Sequence, residues 1–346
     1  PCLLYTAEQV REMDRRIIHE SGVSGYELMQ RAGGVVFREL CRLCREKGTV
    51  LVVCGIGNNG GDGFVVARHC LEADISVDLV LLGELDQVEG DARLAADAFI
   101  SQGGTILPWS DTLLNRAELV IDAVFGTGLD RDVEGSPAEV IDAINRSELP
   151  VVAVDIPSGL CSDSGAVLGV AVQAQTTVSF IGLKRGLFTG QGPEYAGQVI
   201  YDDLQVPAEM LTFEPSAQMI RGDMIDRLLS PRHRAAHKGE HGHILIVGGF
   251  TGMAGAVRMT GEAALRSGAG LVTVATHPDN QVAIVVGCPE LMVHPVSEPA
   301  DLLPLAERAD VVVIGPGLGQ STWGEKLLQA VLKMQIPRVV DADGLN

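Results

Sequence analysis

Apolar and polar positions fall in blocks along this chain rather than alternating residue by residue. Short apolar runs ending at a glycine loop recur: "LVVCG" at 51–55, "AELVIDAVFG" at 117–126, "VVAVDIPSG" at 151–159, "HILIVGG" at 243–249 and "VVVIGPG" at 311–317. Near-continuous apolarity marks strands buried on both faces, as parallel sheets covered by helices require. From Val50 to about Val206 such runs alternate with helical periodicity, which predicts a parallel, doubly wound sheet. Ahead of it, Val10, Met13, Ile17 and Ile18 at helical spacing predict one or two helices within 6–46, capped by Thr6 with Glu8 or Gln9. The stretch from Pro207 to about Gly242 breaks the pattern with prolines and mixed charge, and is the expected inter-domain boundary. A second α/β unit starts at His243. Its "HILIVGGFTGMAGA", "ADVVVIGPGLG" and "IPRVVDADGLN" follow the order of "VLVVCGIGNNGGDG", "AELVIDAVFGTGL" and "LPVVAVDIPSGL" in the first. The expected fold is therefore α/β, with two doubly wound three-layer αβα domains. In such sheets ligands collect beyond the strand C-termini, so each unit has one candidate site.

Composition supports this division: 346 residues, 46% of them hydrophobic, exceed what one compact core usually takes. A net charge of -19 would repel polyanions, so nucleic acid and anionic membranes are not expected partners. No apolar run is long enough to span a bilayer and no basic-then-apolar segment opens the chain, so a cytoplasmic location is expected. Seven scattered cysteines argue for reduced thiols, and Cys41 and Cys44 are expected to pack together on a helix face rather than serve as a redox pair. His233, His237, His241 and His243 lack zinc spacing and a nearby cysteine. The chain runs from Pro1 to Asn346, stopping directly after a strand-like run, and reads as a fragment.

Gly55-Ile-Gly57-Asn-Asn-Gly60 has the G-x-G-x-x-G spacing of a dinucleotide loop, after a strand and before a helix. Asp62, however, stands where a pyrophosphate would meet the helix N-terminus, and a carboxylate there costs Coulomb energy. No Walker lysine is present. The loop is expected to offer amides, asparagine oxygens and a carboxylate to a polar ligand or hard cation. Asp122, Asp155 and Ser158 sit at or near strand ends that converge on this loop, and with Asn59 they supply hard oxygens without thiolate or imidazole. Each also has a plainer reading: Asp155 as a turn cap before Pro157, Lys184 as a solvated surface charge, and Asn59 and Asp122 as partners of neighbouring amides. "GMAGA" and "GPGLG" in the second unit can equally be packing devices.

Together, "NNGGDG" at 58–63, "IDAVFGTGL" at 121–129, "VDIPSGL" at 154–160 and "FIGLKRGLF" at 180–188 resemble the YjeF N-terminal family, the NAD(P)H-hydrate epimerases. "HKGEHGHILIVGG", "GAVRMTGEAALRSGAGLVTVAT", "GPGLG" and "DADGLN" resemble the fused ADP- or ATP-dependent NAD(P)H-hydrate dehydratase. The resemblance covers nearly the whole chain. It implies a Rossmann-like epimerase domain over 1–214 and a partial, ribokinase-like dehydratase domain over 215–346. The dehydratase's histidine loop, nucleotide segment and G-T-G-D stretch do not occur in the 346 residues, so that activity is expected to be incomplete here.

The implied substrate is hydrated NADH or NADPH, a carbinolamine with its hydroxyl on C6. The implied cofactors are potassium, and ADP or ATP with magnesium; a homo-oligomer is expected. By resemblance, substrate falls to Asn58, Asn59, Gly60, Gly61, Asp62, Gly126, Thr127, Gly128, Leu129, Asp130, Arg131, Asp132 and Asp155, with Ala256 and Gly317 in the second unit. Potassium falls to Asn59, Asp122 and Ser158, and Asp155 and Lys184 are the candidate acid–base pair. Two other readings stay open. A Rossmann-type NAD(P)-dependent oxidoreductase would use Asp78 or Glu84 on the ribose, and a non-catalytic binding scaffold would need none of this chemistry.

Overall fold

The computed structural model describes residues 3–43, 48–228 and 231–346. The chain forms two compact units, Pro1–Leu228 and Leu229–Asn346. The first contains β1 (Leu3–Tyr5), α1 (Ala7–Glu20), α2 (Gly25–Leu43), β2 (Thr49–Cys54), α3 (Asn58–Glu72), β3 (Val77–Leu81), α4 (Gly90–Ser101), β4 (Ile106–Leu107) and β5 (Ala117–Ala123). It continues with α5 (Ser136–Arg146), β6 (Val151–Val154), β7 (Thr176–Phe180), β8 (Leu183–Lys184), α6 (Gly192–Tyr195), β9 (Gln198–Asp202), β10 (Ala217–Gln218) and α7 (Gly222–Leu228).

Seven strands make one parallel sheet in the order β4-β3-β2-β5-β6-β7-β9. Val50, Val52 and Cys54 pack on one face and Leu51 and Val53 on the other, which is why β2 reads as continuously apolar. The strand order reverses between β2 and β5. A crevice therefore opens beyond their C-terminal ends, where the loops starting at Gly55 and Val124 leave in opposite directions.

Helix α1 begins with a reciprocal cap, in which Thr6 Oγ1 accepts from the Gln9 amide at 3.2 Å and Gln9 Oε1 from the Thr6 amide at 2.9 Å. Of the two expected cap partners, Gln9 closes the box. A second, three-stranded sheet was not expected: β1 pairs parallel with β8 and antiparallel with β10. Because β10 lies beyond residue 214 yet pairs with β1, the first unit runs on to Leu228, past the expected limit.

The second unit contains β11 (His243–Val247), α8 (Ala254–Arg266), β12 (Leu271–Thr276), α9 (Gln281–Gly287), β13 (Met292–Pro295), α10 (Leu303–Ala306), β14 (Val311–Ile314), α11 (Thr322–Lys333) and β15 (Arg338–Val340). Its parallel sheet has the order β13-β12-β11-β14-β15, with the reversal between β11 and β14. The glycine loops at 248–252 and 315–319 follow those two strands.

Among the described residues no helix is long and apolar enough to cross a membrane. Cys54, Cys70 and Cys288 are buried, whereas Cys41 is exposed, contrary to the expected packing. The buried stripe of α2 runs through Val36 and Leu40, and Cys41 falls just off it; Cys44 lies outside the described residues.

Candidate functional site

The crevice of the first unit is a cavity of about 580 Å³. Its walls come from the start of α3, the loop after β5, the segment Asp155 to Lys184 at the strand ends, and helix α1. Helix α3 is capped by Gly57, which supplies no side-chain acceptor, so its first-turn amides and positive dipole end face the cavity unoccupied by a cap. Asn58, Asn59 and Asp62 line this wall.

The neighbouring glycines do a different job. A Cβ added at Gly60 would stand 1.8 Å from the Gly55 carbonyl oxygen, and one at Gly61 2.6 Å from the Met29 thioether. Neither lines the cavity; both let α3 start directly on the end of β2 and against α2. Gly60→Ala is therefore expected to lower stability by about 1–3 kcal/mol through backbone overpacking. Gly57→Ser, whose Cβ meets nothing within 4 Å, is expected to cost nothing. Thermal melts of the two variants check this, and equal melting temperatures would refute the packing account.

The loop after β5 brings Gly126, Thr127, Gly128, Leu129, Asp130 and Arg131 to the cavity. Asp132 turns away, where a Cβ added at Gly169 would lie 3.5 Å from its own Cβ. Below this loop Asp122 is fully buried. Its carboxylate accepts from the Ser158 hydroxyl at 2.6 Å, the Ser158 amide at 2.8 Å and the Val124 amide at 3.3 Å. Burial nonetheless pushes its carboxyl up to about 6, with the Ser158 bonds opposing. Among the described residues no cationic side chain pairs with it. The Asn59 side chain lies against Gly126, and its buried Nδ2 has no hydrogen-bond partner.

Asp155 follows β6 in the left-handed region, with φ 68, a conformation that an aspartate tolerates at some cost and that is found at functional sites. Ile181, at φ 63, is a sharper outlier because its side chain is β-branched. Both line the cavity together with Lys184, which is 1% exposed. Lys184 Nζ donates to Asp155 Oδ1, to the Phe180 carbonyl at 3.0 Å and to Ser179 Oγ at 3.3 Å, so the lysine is no solvated surface charge.

Two further carboxyls stand near this pair. Asp62 is pushed well above the usual carboxylate range by burial, with Asp155 and Asp14 adding and Lys184 opposing. That upward direction lessens the repulsion that the sequence alone placed between this loop and a pyrophosphate. Asp14, on α1, is raised to about 6 by burial, with Asp155 adding and Lys184 opposing. Sequence reasoning missed Asp14. The signal was there, for it interrupts the apolar positions Val10, Met13, Ile17 and Ile18 on the helix's inward side.

The residues proposed for a dehydrogenase lie elsewhere. Asp78 pairs with Arg116 at 2.7 Å, Glu84 caps a turn with Gln87, and neither lines the cavity. His237 pairs with Glu240 at 3.1 Å, and both ring nitrogens of His243 are engaged by the Arg308 carbonyl and Thr273. Among the described residues no His, Cys, Asp and Glu cluster suits a metal of the zinc type. In the second unit Ala256 and Gly317 come together at the strand reversal. Gly317 has φ 57, and a Cβ there would lie 3.0 Å from that of Ala256, so the loop needs glycine for both space and backbone angle.

Comparison with known proteins accounts for both units. Residues 25–186 match the family described as YjeF-related protein N-terminus, and 244–346 match the NAD(P)H-hydrate dehydratase family. The bifunctional NAD(P)H-hydrate repair enzyme Nnr of Coxiella burnetii is 46% identical over 346 residues, 99% of this chain and 70% of that protein. The enzyme of the same name from Escherichia coli is 42% identical over 347 residues, 100% of this chain and 67% of that one. The crystal structure of yeast ynu0 superimposes on 62% of this chain and 95% of its own, with TM-score 0.52 and 21% identity, a likeness of fold. The matches follow each other in the order of the two units and extend along almost the whole chain, and so it belongs to the family of bifunctional NAD(P)H-hydrate repair enzymes.

Proposed function

We propose that the first unit interconverts the two C6 epimers of hydrated NADH and NADPH. The observation that carries this reading is the buried Lys184–Asp155 pair opening into a cavity beside an uncapped helix N-terminus. The hydrate is a carbinolamine, and inversion at C6 by ring opening or loss of the hydroxyl requires proton transfers at heteroatoms. Positioned acid–base groups contribute about 10²- to 10⁴-fold to such steps. A dinucleotide's pyrophosphate finds amides at the start of α3, while Arg11 and Arg131 supply the cavity's cationic side chains besides Lys184. A non-catalytic scaffold has no use for a lysine buried to this degree against a carboxylate.

The donor set around Asp122 fits a monovalent cation. Asp122 is a buried carboxylate without a cationic partner among the described residues, Ser158 adds a hydroxyl, and the Asn59 amide, unheld at its nitrogen, is free to turn its oxygen inward. One negative charge among neutral oxygens is too weak to strip water from magnesium but adequate for potassium. Potassium there would neutralise Asp122 and brace the first turn of α3 at Asn59 and the loop of Phe125. For the second unit the reading is the substrate-side half of an ADP- or ATP-dependent dehydratase site, with magnesium accompanying the nucleotide and the hydrate resting on Ala256 and Gly317.

The test is direct. The 346-residue chain, given one purified epimer of the hydrate in potassium buffer, is expected to produce the other, followed by chromatography, and Pro1–Leu228 alone is expected to do the same. A folded chain that leaves the epimer unchanged above the spontaneous rate would overturn the reading.

A further inference from the structure

Helix α1 lies outside the stretch that matches the epimerase family, which begins at residue 25, yet it forms one wall of the cavity through Val10, Arg11, Asp14 and Ile18. Its position is fixed by contacts at the site itself. A Cβ added at Gly182 would lie 3.0 Å from Val10 and 3.4 Å from the Met13 sulfur, so α1 rests on the glycine between Ile181 and the lysine strand. The register of β1 on β8 sets Tyr5 beside Lys184, two residues before the helix starts. Among the described residues no hydrogen bond or salt bridge engages the Asp14 carboxyl. An unengaged carboxyl on the cavity side of an amphipathic helix, lining the same cavity as a lysine–aspartate pair, contributes nothing to folding that an apolar residue would not do better.

We propose that Asp14 is a catalytic residue of the epimerisation, working across the C6 centre with Asp155; this rests on the epimerase reading above. In one direction the Asp14 carboxyl gives its proton to the C6 hydroxyl, the C6–O bond breaks with its electron pair, and water leaves. The ring nitrogen's lone pair forms the N=C6 bond. Water then adds to the other face of C6, its proton passes to the Asp155 carboxylate, and the N=C6 pair returns to nitrogen. The reverse passage exchanges the two roles, and proton exchange with solvent resets the carboxyls after one-way flux. Two carboxyls in unlike surroundings are the arrangement that such a division of roles needs. Burial holds Asp14 at about 6, so a fraction of it remains an acid near neutrality, while Asp155 is bonded to Lys184. The other charged groups facing the cavity are Arg11 on the same helix, Asp62 on α3, Asp91 on α4, and Asp130 and Arg131 after β5.

The experiment compares the full chain with Asp14→Asn and Asp14→Glu, measuring kcat and KM against pH together with thermal stability. Asp14→Asn is expected to lose about 10²- to 10⁴-fold in kcat with little change in KM. Wild-type turnover is expected to fall as pH rises past about 6, where the donor form is lost, and the asparagine variant to lack that limb. Asp14→Glu, which keeps the carboxyl, should recover part of the turnover. Stability separates this from a structural role. The folded-state value of about 6 exceeds the ordinary 3.8, so stability falls as pH rises between them, and Asp14→Asn should melt at or above the wild-type temperature at neutral pH. A wild-type chain that turns over, beside an Asp14→Asn variant of equal kcat and unchanged pH profile, overturns this inference alone. An inert wild-type chain overturns the epimerase reading and this inference with it. Should Asp14→Asn not fold, Asp14→Glu decides: a displaced pH limb with reduced kcat supports the proposal, and wild-type behaviour overturns it.

Discussion

Asp155→Asn is expected to leave hydrate binding almost intact and to lower epimerisation turnover by about 10²- to 10⁴-fold. The amide keeps the size and planarity of the side chain, and its oxygen can still accept from Lys184 and from the Phe180 amide, which lies 3.2 Å from Oδ1 in the wild type. The left-handed backbone at φ 68 is tolerated by asparagine at least as well as by aspartate, so no strain is added. What disappears is the proton acceptor. The groups proposed to bind the hydrate, the amides of α3 and the loop at 126–131, are not altered. The check is kcat and KM for each epimer, with equilibrium binding of the hydrate measured beside them. Wild-type turnover in the variant would remove Asp155 from the chemistry. A large rise in KM at unchanged kcat would make it a binding group instead.

Asp122→Ala is expected to weaken hydrate binding by about tenfold and to abolish any response to potassium, with a loss of about 1–3 kcal/mol in stability. The stability loss follows because the amides of Ser158 and Val124 and the Ser158 hydroxyl all give up an acceptor in a dry interior. The binding loss follows if a cation there braces the first turn of α3 at Asn59 and the loop of Phe125, whose amide already donates to Ser158 Oγ at 2.8 Å. Exchanging potassium for a bulky organic cation should slow the wild type and leave the variant unaffected. Thallium diffraction of the wild type should place anomalous density among Asn59, Asp122 and Ser158. Equal activity in both salts, with only water density at that point, would reduce Asp122 to a partner of its neighbouring amides.

The doubly wound sheets were legible because their strands are covered on both faces, so β2, β5 and β6 could be read as near-continuous apolar runs ahead of glycine or aspartate. Strands β1, β8 and β10, of two or three residues, are too short to carry any periodicity, and they exist only because the chain returns to pair them. The location of the cavity was legible too, since glycine loops at strand ends mark the reversal point. Its electrostatics were not. Lys184 looks like any surface lysine until β8 is seen tucked beside β1, and Asp62 looks like an ordinary carboxylate until the burial and the carboxyl neighbours that raise it are counted. Asp14 escaped because one polar residue beside an apolar stripe is ordinary on a surface helix, and only a cavity under that helix makes it unusual. Gly60 and Gly61 also seat α3 on the end of β2 and against α2, a packing role that spacing cannot reveal.

The small sheet has a consequence for the order in which the molecule can be assembled. The strand bearing Lys184 takes one neighbour from the first residues of the chain, and that neighbour takes its other partner from Ala217–Gln218. Each pairing closes a loop spanning most of the unit, and such closures carry the largest entropic cost and reward the chain only after the intervening elements are in place. While the polypeptide is still being synthesised, the large sheet can form as its strands emerge, but the edge that flanks the lysine must wait for residues far beyond it. Chemistry at this site therefore belongs to the finished unit and to no shorter nascent chain.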